Sequence, residues 1–286
     1  MDIIFHKYQG LGNDYIIINT KENNISINEE VLSDLAQSLC DRHFSIGADG
    51  ILYAIPSLSD DYDYEMRIFN PDGSEAEMCG NGIRMFAKYL YLNDILKKKK
   101  FIIKTLAGKI IPELIFDDNE IVGIKVNMGY PNLNRAEIPM LGPEGKVIHE
   151  EFIIDNKTFR ITCVNMGNPH CIMFVDDINE IDITVGKKIE YDERFPERTN
   201  VEFAQILNNK ELKLRVWERG VGETLACGTG ACATVVAAIL NSKTDNEVLV
   251  HLKGGDLEIN WKNSETEPVL MTGPAEEVFR GEITIK

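Results

Sequence analysis

The chain has 286 residues, a formal net charge of −16, and 44% hydrophobic against 27% charged residues. That length suffices for one large or two ordinary globular domains with a full core, and the acidic balance argues against nucleic acid as a partner. No apolar run approaches the roughly 18 residues of a membrane span, and the first residues lack the basic, apolar and small-residue zones of a signal peptide. A cytoplasmic protein with no membrane partner is therefore expected. Its cysteines (Cys40, Cys79, Cys163, Cys171, Cys227, Cys232) include no C-x-x-C pair. They read as free thiols, and no metal-ligand spacing is present.

In chain order the pattern is rich in strands. Ile3–Tyr8 and Tyr15–Asn19 flank the turn-forming Gly10-Leu11-Gly12-Asn13-Asp14. Asn28 caps a predicted helix whose apolar face is Val31, Leu32, Leu35, Ala36 and Leu39. A glycine-bearing loop, Arg42–Gly50, precedes a strand at Ile51–Ala54; it has neither the lysine of a P-loop nor dinucleotide-fingerprint spacing. A strand at Arg67–Phe69 leads through a cysteine turn into a helix ending near Leu92. The basic run Lys97–Lys100 after it reads as a solvated helix end. Further strands are predicted at Phe101–Thr105, Lys109–Phe116, Gly123–Met128, Phe152–Ile154, Phe159–Asn165 and Cys171–Val175. A short helix or turn is expected at Asp182–Lys188. Strands follow at Thr199–Ala204, Val248–Leu252, Asp256–Trp261, Val269–Thr272 and Glu277–Lys286.

Two stretches, 148 residues apart, match one another. Arg67-Ile68-Phe69 precedes Cys79-Gly80-Asn81-Gly82 as Arg215-Val216-Trp217 precedes Cys227-Gly228-Thr229-Gly230. An arginine lies twelve residues before each cysteine and a glutamate (Glu75, Glu223) four before it. Each Cys-Gly-x-Gly opens an apolar helix, and Gly12-Asn13 finds an echo in Gly167-Asn168. This period is too long for a solenoid and suits two homologous domains. They are expected over residues 1–126, completed by a C-terminal strand at 276–286, and over 127–275, with a cleft between them.

Each half then offers one thiol at a helix N-terminus, where unpaired N–H groups and the positive dipole end favour anions and lower a thiol pKa from about 8.5. Two thiols on opposite faces of a stereocentre invert it: the thiolate removes a proton and the thiol delivers one. An amino-acid α-proton is weakly acidic, so donors must stabilise charge on the α-carboxylate. The N–H groups of Gly80, Asn81, Gly228 and Thr229 are placed to do so. This is the design of a racemase or epimerase needing no cofactor.

The residues carrying that design resemble the diaminopimelate epimerase family, end to end. The matching blocks are Gly10–Asp14, Arg67–Glu75, Cys79–Gly82, Met166–His170, Glu197–Asn200, Glu218–Thr224 and Ala226–Gly230. The resemblance implies interconversion of LL- and meso-diaminopimelate, on the route to lysine and peptidoglycan. It implies two pseudo-symmetric α/β domains, each a strand-rich, barrel-like sheet around a central helix, assembled as a homodimer. Cys79 and Cys227 become the acid–base pair. Asn13, Asn70, Asn168, Asn200, Glu218 and Arg219 become substrate contacts, the arginine suiting a carboxylate, while His170 and Glu218 tune the thiols. Where some members place a substrate-touching glutamine, this chain has Gly50. The alternatives are another proline racemase-like isomerase of the same superfamily, a noncatalytic binding module on the scaffold, or a thiol redox protein.

Overall fold

The computed structural model describes residues 1–155 and 157–285. The chain divides into two compact units, Met1–Val126 with Gly273–Lys286, and Asn127–Thr272. Lys286, the expected end of the final strand, lies outside the described residues.

The first unit opens with β1 (Asp2–Gly10), β2 (Asn13–Asn19), α1 (Glu29–Leu39), β3 (Gly50–Pro56), β4 (Tyr64–Phe69) and β5 (Glu75–Ala76). It continues with α2 (Gly80–Leu92), β6 (Ile103–Thr105), β7 (Gly108–Ile110), β8 (Glu113–Asp117) and β9 (Glu120–Asn127). The predicted strand at Lys109–Phe116 is thus two strands broken at Pro112, which has no N–H for a ladder. The Asn28 side chain accepts from Glu30 N–H and caps α1 as expected. Leu32, Leu35, Ala36 and Leu39 face the core with Ile16, Ile18, Ile51 and Phe69, but Val31 points outward.

The second unit comprises β10 (Glu150–Ile154), β11 (Lys157–Asn165), β12 (Pro169–Phe174), α3 (Val185–Glu190), β13 (Asn200–Asn208), β14 (Glu211–Glu218), β15 (Gly222–Thr224), α4 (Gly228–Leu240), β16 (Glu247–Leu252), β17 (Gly255–Asn260) and β18 (Leu270–Gly273). The last strand, β19 (Glu276–Thr284), returns to the first unit and pairs antiparallel with β1. The helix expected at Asp182–Lys188 starts three residues later, because the Asp182 carboxylate caps a turn at Thr184 instead.

The duplication survives as topology. Strand order β19-β1-β2-β3-β4-β6-β7 in the first sheet is matched by β10-β11-β12-β13-β14-β16-β17 in the second. Parallel pairs fall at equivalent places: β2 with β3 and β4 with β6, then β12 with β13 and β14 with β16. The repeated Arg and Glu perform the same task in both, closing the short strand before the cysteine. Arg67 pairs with Glu75 at 2.6 Å, and Arg215 with Glu223 at 2.8 Å.

Within its sheet each cysteine helix is central. α2 packs on β1, β2, β3 and β19, burying Ile83, Met85, Phe86, Ala87, Tyr89 and Leu90. α4 packs on β11, β12, β13 and β17 and is buried all round from Gly230 to Ile239, which explains its unbroken run of small apolar residues. Each large side chain so buried contributes about 1.5–3 kcal/mol, holding the helix start in place. Among the described residues no helix is long and apolar enough to cross a membrane.

Gly50, at the start of β3, has no room for a side chain: a Cβ there would lie 2.6 Å from the Phe69 carbonyl oxygen and 2.7 Å from Tyr15 Cε1. Gly50→Ala is therefore expected to destabilise the protein by about 1–3 kcal/mol. Urea unfolding checks this, and an unchanged midpoint would contradict the packing argument.

Candidate active site

Cys79 and Cys227 are both helix N-caps in extended conformation, at φ −139° and −130°, ahead of α2 and α4 respectively. The glycines that follow keep each helix start tight. A Cβ at Gly82 would lie 3.3 Å from Cys79 Cβ, and one at Gly230 would lie 2.8 Å from a Glu202 carboxylate oxygen. The first N–H groups of each helix have no partner within it, and those of Gly82 and Gly230 turn to the cysteine sulfur before them.

In the first unit three groups meet the sulfur. Gly82 N–H donates to Cys79 Sγ at 3.3 Å and the Tyr15 hydroxyl at 3.6 Å, while the thiol donates to Asn13 Oδ1 at 3.8 Å. Asn13 is held on its other side, its amide N–H donating to Asp49 Oδ2 at 2.7 Å. Because a carboxylate only accepts, this bond fixes which end of the amide faces the sulfur. Asp49 in turn takes Arg42 at 2.7 Å, and Arg42 and Lys7 both reach Asp14 at 2.6 Å. Burial would raise Asp14, but hydrogen bonds from Arg42 and Lys7 hold it down at about 2. Asn81 donates to Asn13 Oδ1 and accepts from buried Arg84 at 2.8 Å.

In the second unit His170 and Glu202 form a fully buried pair at 2.6 Å, and His170 Nε2 meets Asn168 Oδ1 at 2.9 Å. Gly167, at φ +92°, makes the turn that presents Asn168, as Gly12 at φ +84° does for Asn13; only glycine adopts these angles without strain. Thr224 donates to Glu218 at 2.6 Å, and Arg219 donates from its side chain to the Glu197 carbonyl at 2.9 Å. Cys227 Sγ lies 3.5 Å from the Thr229 hydroxyl.

The helix terminus does not lower this thiol. Burial, then the charges of Glu218 and Glu202, push Cys227 well above its ordinary value, and Thr229 and the Gly230 N–H offset only part of that. Desolvation of an anion costs several kcal/mol, against about 0.3–2 kcal/mol from a helix end, so the expectation of a depressed pKa fails at Cys227.

The structure thus gathers Asn13, Cys79 and Asn81 into one bonded cluster and Asn168 and His170 into another. Asn70 bonds to Ser74 across its turn, at 3.0 Å, rather than to the Cys79 cluster. Asn200 spends both amide atoms on backbone: it accepts from Arg219 N–H and donates to the Pro169 carbonyl, each at 2.9 Å. It braces the Arg219 turn and the start of β12.

Sequence reasoning missed Tyr15, Asp49, Arg84, Glu190 and Glu202. Glu190, almost fully buried, accepts from Trp217 at 2.8 Å and Gly220 N–H at 2.9 Å and pins the Glu218-Arg219 turn from below. Nothing in their spacing flags these residues, although Tyr15 adjoins the Gly10–Asp14 block and Asp49 precedes Gly50. Tyr15 also bears on Gly50, since its ring fills the space a longer residue there would need.

The diaminopimelate epimerase family profile matches residues 5–134 and 162–278. The diaminopimelate epimerase of Pelotomaculum thermopropionicum is 52% identical over 279 residues, covering 97% of this chain and 98% of the relative. That of Synechocystis is 49% identical over 288 residues, covering 100% of both. Among solved structures, a Bacillus anthracis phenazine biosynthesis protein of the PhzF family aligns over 100% of both chains at TM-score 0.70 and 17% identity. A hydroxyproline epimerase from Agrobacterium vitis aligns over 99% of this chain and 92% of its own, at TM-score 0.67 and 8% identity. These two likenesses show the fold, a pair of sheet-rich α/β units with few helices. The sequence matches show more: the chain belongs to the diaminopimelate epimerase family, and so to the isomerases.

Proposed function

We propose that the protein interconverts LL- and meso-diaminopimelate by proton transfer between Cys79, Cys227 and the two faces of one α-carbon, each unit lending one thiol. The observation that carries this reading is the repeated N-cap cysteine opening a buried helix, in a chain of this family. In one direction the Cys79 thiolate takes the α-proton while the Cys227 thiol supplies one to the opposite face; in reverse the roles exchange, and the proton count on the enzyme is conserved. The N–H groups of Gly80, Asn81, Gly228 and Thr229 receive the carboxylate, where charge accumulates as the C–H bond breaks. Asn13, Asn70, Asn168, Asn200, Glu218 and Arg219 belong to the proposed binding set, with Arg219 for carboxylate recognition and His170 and Glu218 as tuning groups.

The surroundings of the two sulfurs differ. Cys79 receives two donors, from Tyr15 and Gly82, and itself donates to Asn13 Oδ1. Cys227 is held as the neutral thiol by burial and by Glu218. The product would serve lysine and peptidoglycan formation in the cytoplasm. A homodimer completes the proposal: β19 is a sheet edge exposing Val278 and Phe279, a surface that association would cover.

Cys79→Ala and Cys227→Ala are each expected to lower epimerisation of LL-diaminopimelate by about 10²–10⁴-fold or more. The readout is α-hydrogen exchange in deuterium oxide followed by NMR, with hydroxyproline and proline as competing substrates. Near-normal turnover in either variant would refute the two-thiol reading, and turnover of an imino acid alone would reassign the substrate.

Only a thiolate alkylates readily, so a raised pKa leaves Cys227 unreactive at pH 7.5 and its rate climbs about tenfold per pH unit through pH 9. Glu218→Gln removes one cause and shifts that climb to lower pH. Peptide mapping after iodoacetamide treatment measures both, and a Cys227 rate that is flat from pH 7 to 9 would contradict the assignment. Light scattering of the 32.3 kDa chain at micromolar concentration is expected to give twice that mass.

A further inference from the structure

Glu202 is a buried ionisable group that the proposed chemistry leaves unused. It lies on β13, which runs parallel to β12, where His170 sits, and both side chains are 0% exposed. Glu202 Oε1 is 2.6 Å from His170 Nδ1, while Oε2 has no hydrogen-bond partner. A Cβ built at Gly230 would lie 2.8 Å from Glu202 Oε1 and 3.4 Å from Cys227 Sγ, so the carboxyl group and the sulfur both crowd this glycine.

We propose that Glu202 is a positioning residue: with His170 it forms a two-proton, neutral unit that ties down the Asn168 carbonyl and frees the Asn168 amide N–H for the substrate carboxylate. With one proton the pair carries a net negative charge, fully buried, beside Glu218 and the Cys227 and Cys171 sulfurs, and His170 is the cationic partner that acts on Glu202. A buried charge without compensation costs several kcal/mol, so the pair keeps two protons.

One of these protons lies between Oε1 and Nδ1, whichever atom owns it. The second has two possible seats. On Oε2 it would be a buried hydroxyl with no acceptor. On His170 Nε2 it meets Asn168 Oδ1 at 2.9 Å. Nε2 is therefore the donor and the Asn168 carbonyl the acceptor, which leaves Asn168 Nδ2 unspent by this unit. Burial raises Glu202, and Glu218 adds to that, in keeping with a retained proton. The first unit uses the same device in the opposite sense. There the Asp49 carboxylate claims the amide N–H of Asn13 and leaves its carbonyl for Cys79 and Asn81. Paired asparagines at equivalent turns thus present opposite polarity, each set by a carboxyl group behind it.

The test is ¹⁵N NMR of the full chain labelled at its 5 histidines, with His170→Gln used to assign the His170 signals. At pH 7.5 the His170 Nε2 shift is expected to be that of a protonated nitrogen; an unprotonated Nε2 overturns the proposal. Glu202→Gln keeps the volume but has no proton to share and can accept as well as donate. It should admit the Nδ1–H tautomer as a second population. The kinetic arm rests on the proposed reaction: KM for LL-diaminopimelate should rise about fivefold or more in Glu202→Gln, by more than kcat falls, as loss of one charge-assisted hydrogen bond predicts. An unchanged ring spectrum with unchanged KM in Glu202→Gln refutes the role of Glu202. The NMR measurement uses the free protein, so it decides the proton count even if diaminopimelate proves not to be the substrate.

Discussion

The start of a buried helix is the constraint on which this molecule turns. An N-cap residue must be extended while its successors are helical, and a sulfur there faces N–H groups the helix cannot satisfy. Cys79 and Cys227 occupy that position in equivalent parts of two equivalent sheets. Holding it to the precision that the proposed proton transfer needs takes a rigid helix, and the rigidity comes from burial. α4 is enclosed along nearly its whole length and α2 along its inner face.

Identical backbone placement nevertheless leaves the two thiols in different electrostatic surroundings. Cys79 sees a tyrosine hydroxyl and a peptide N–H. Cys227 sits in a drier pocket with Glu218 and Glu202 charges near it. The dipole of a helix end is a fraction of a kcal/mol to about two, whereas stripping water from an anion costs several, so the neighbourhood rather than the motif sets the protonation state. Duplication supplied two copies of one geometry, and divergence in the surrounding side chains made their environments unlike.

The acidic composition acquires a meaning inside the fold. Many carboxylates are spent as fixed acceptors around the two cysteine turns: Glu75 and Glu223 on the repeated arginines, Asp49 on Asn13, Glu190 on the Arg219 turn, Glu202 on His170. Each restricts a loop or an amide to one orientation, and in the proposed reaction such fixed dipoles need not reorganise as charge develops on the substrate.

The chain alone determined the strand-rich pattern, the two-fold repeat, the helix following each cysteine and the capping of α1. These are local: periodicity, turn residues and caps act over a few neighbours, and the repeat is visible by superposition of the sequence on itself. Tertiary structure decided what depends on partners distant in sequence. It turned Val31 to solvent, left Gly50 no space beneath Tyr15, and joined Glu202 to His170 across two parallel strands. It also reversed the expected shift at Cys227. A helix terminus can be read from Cys-Gly-Thr-Gly, but the loss of water around the sulfur and the approach of Glu218 and Glu202 exist only once the strands have folded over it.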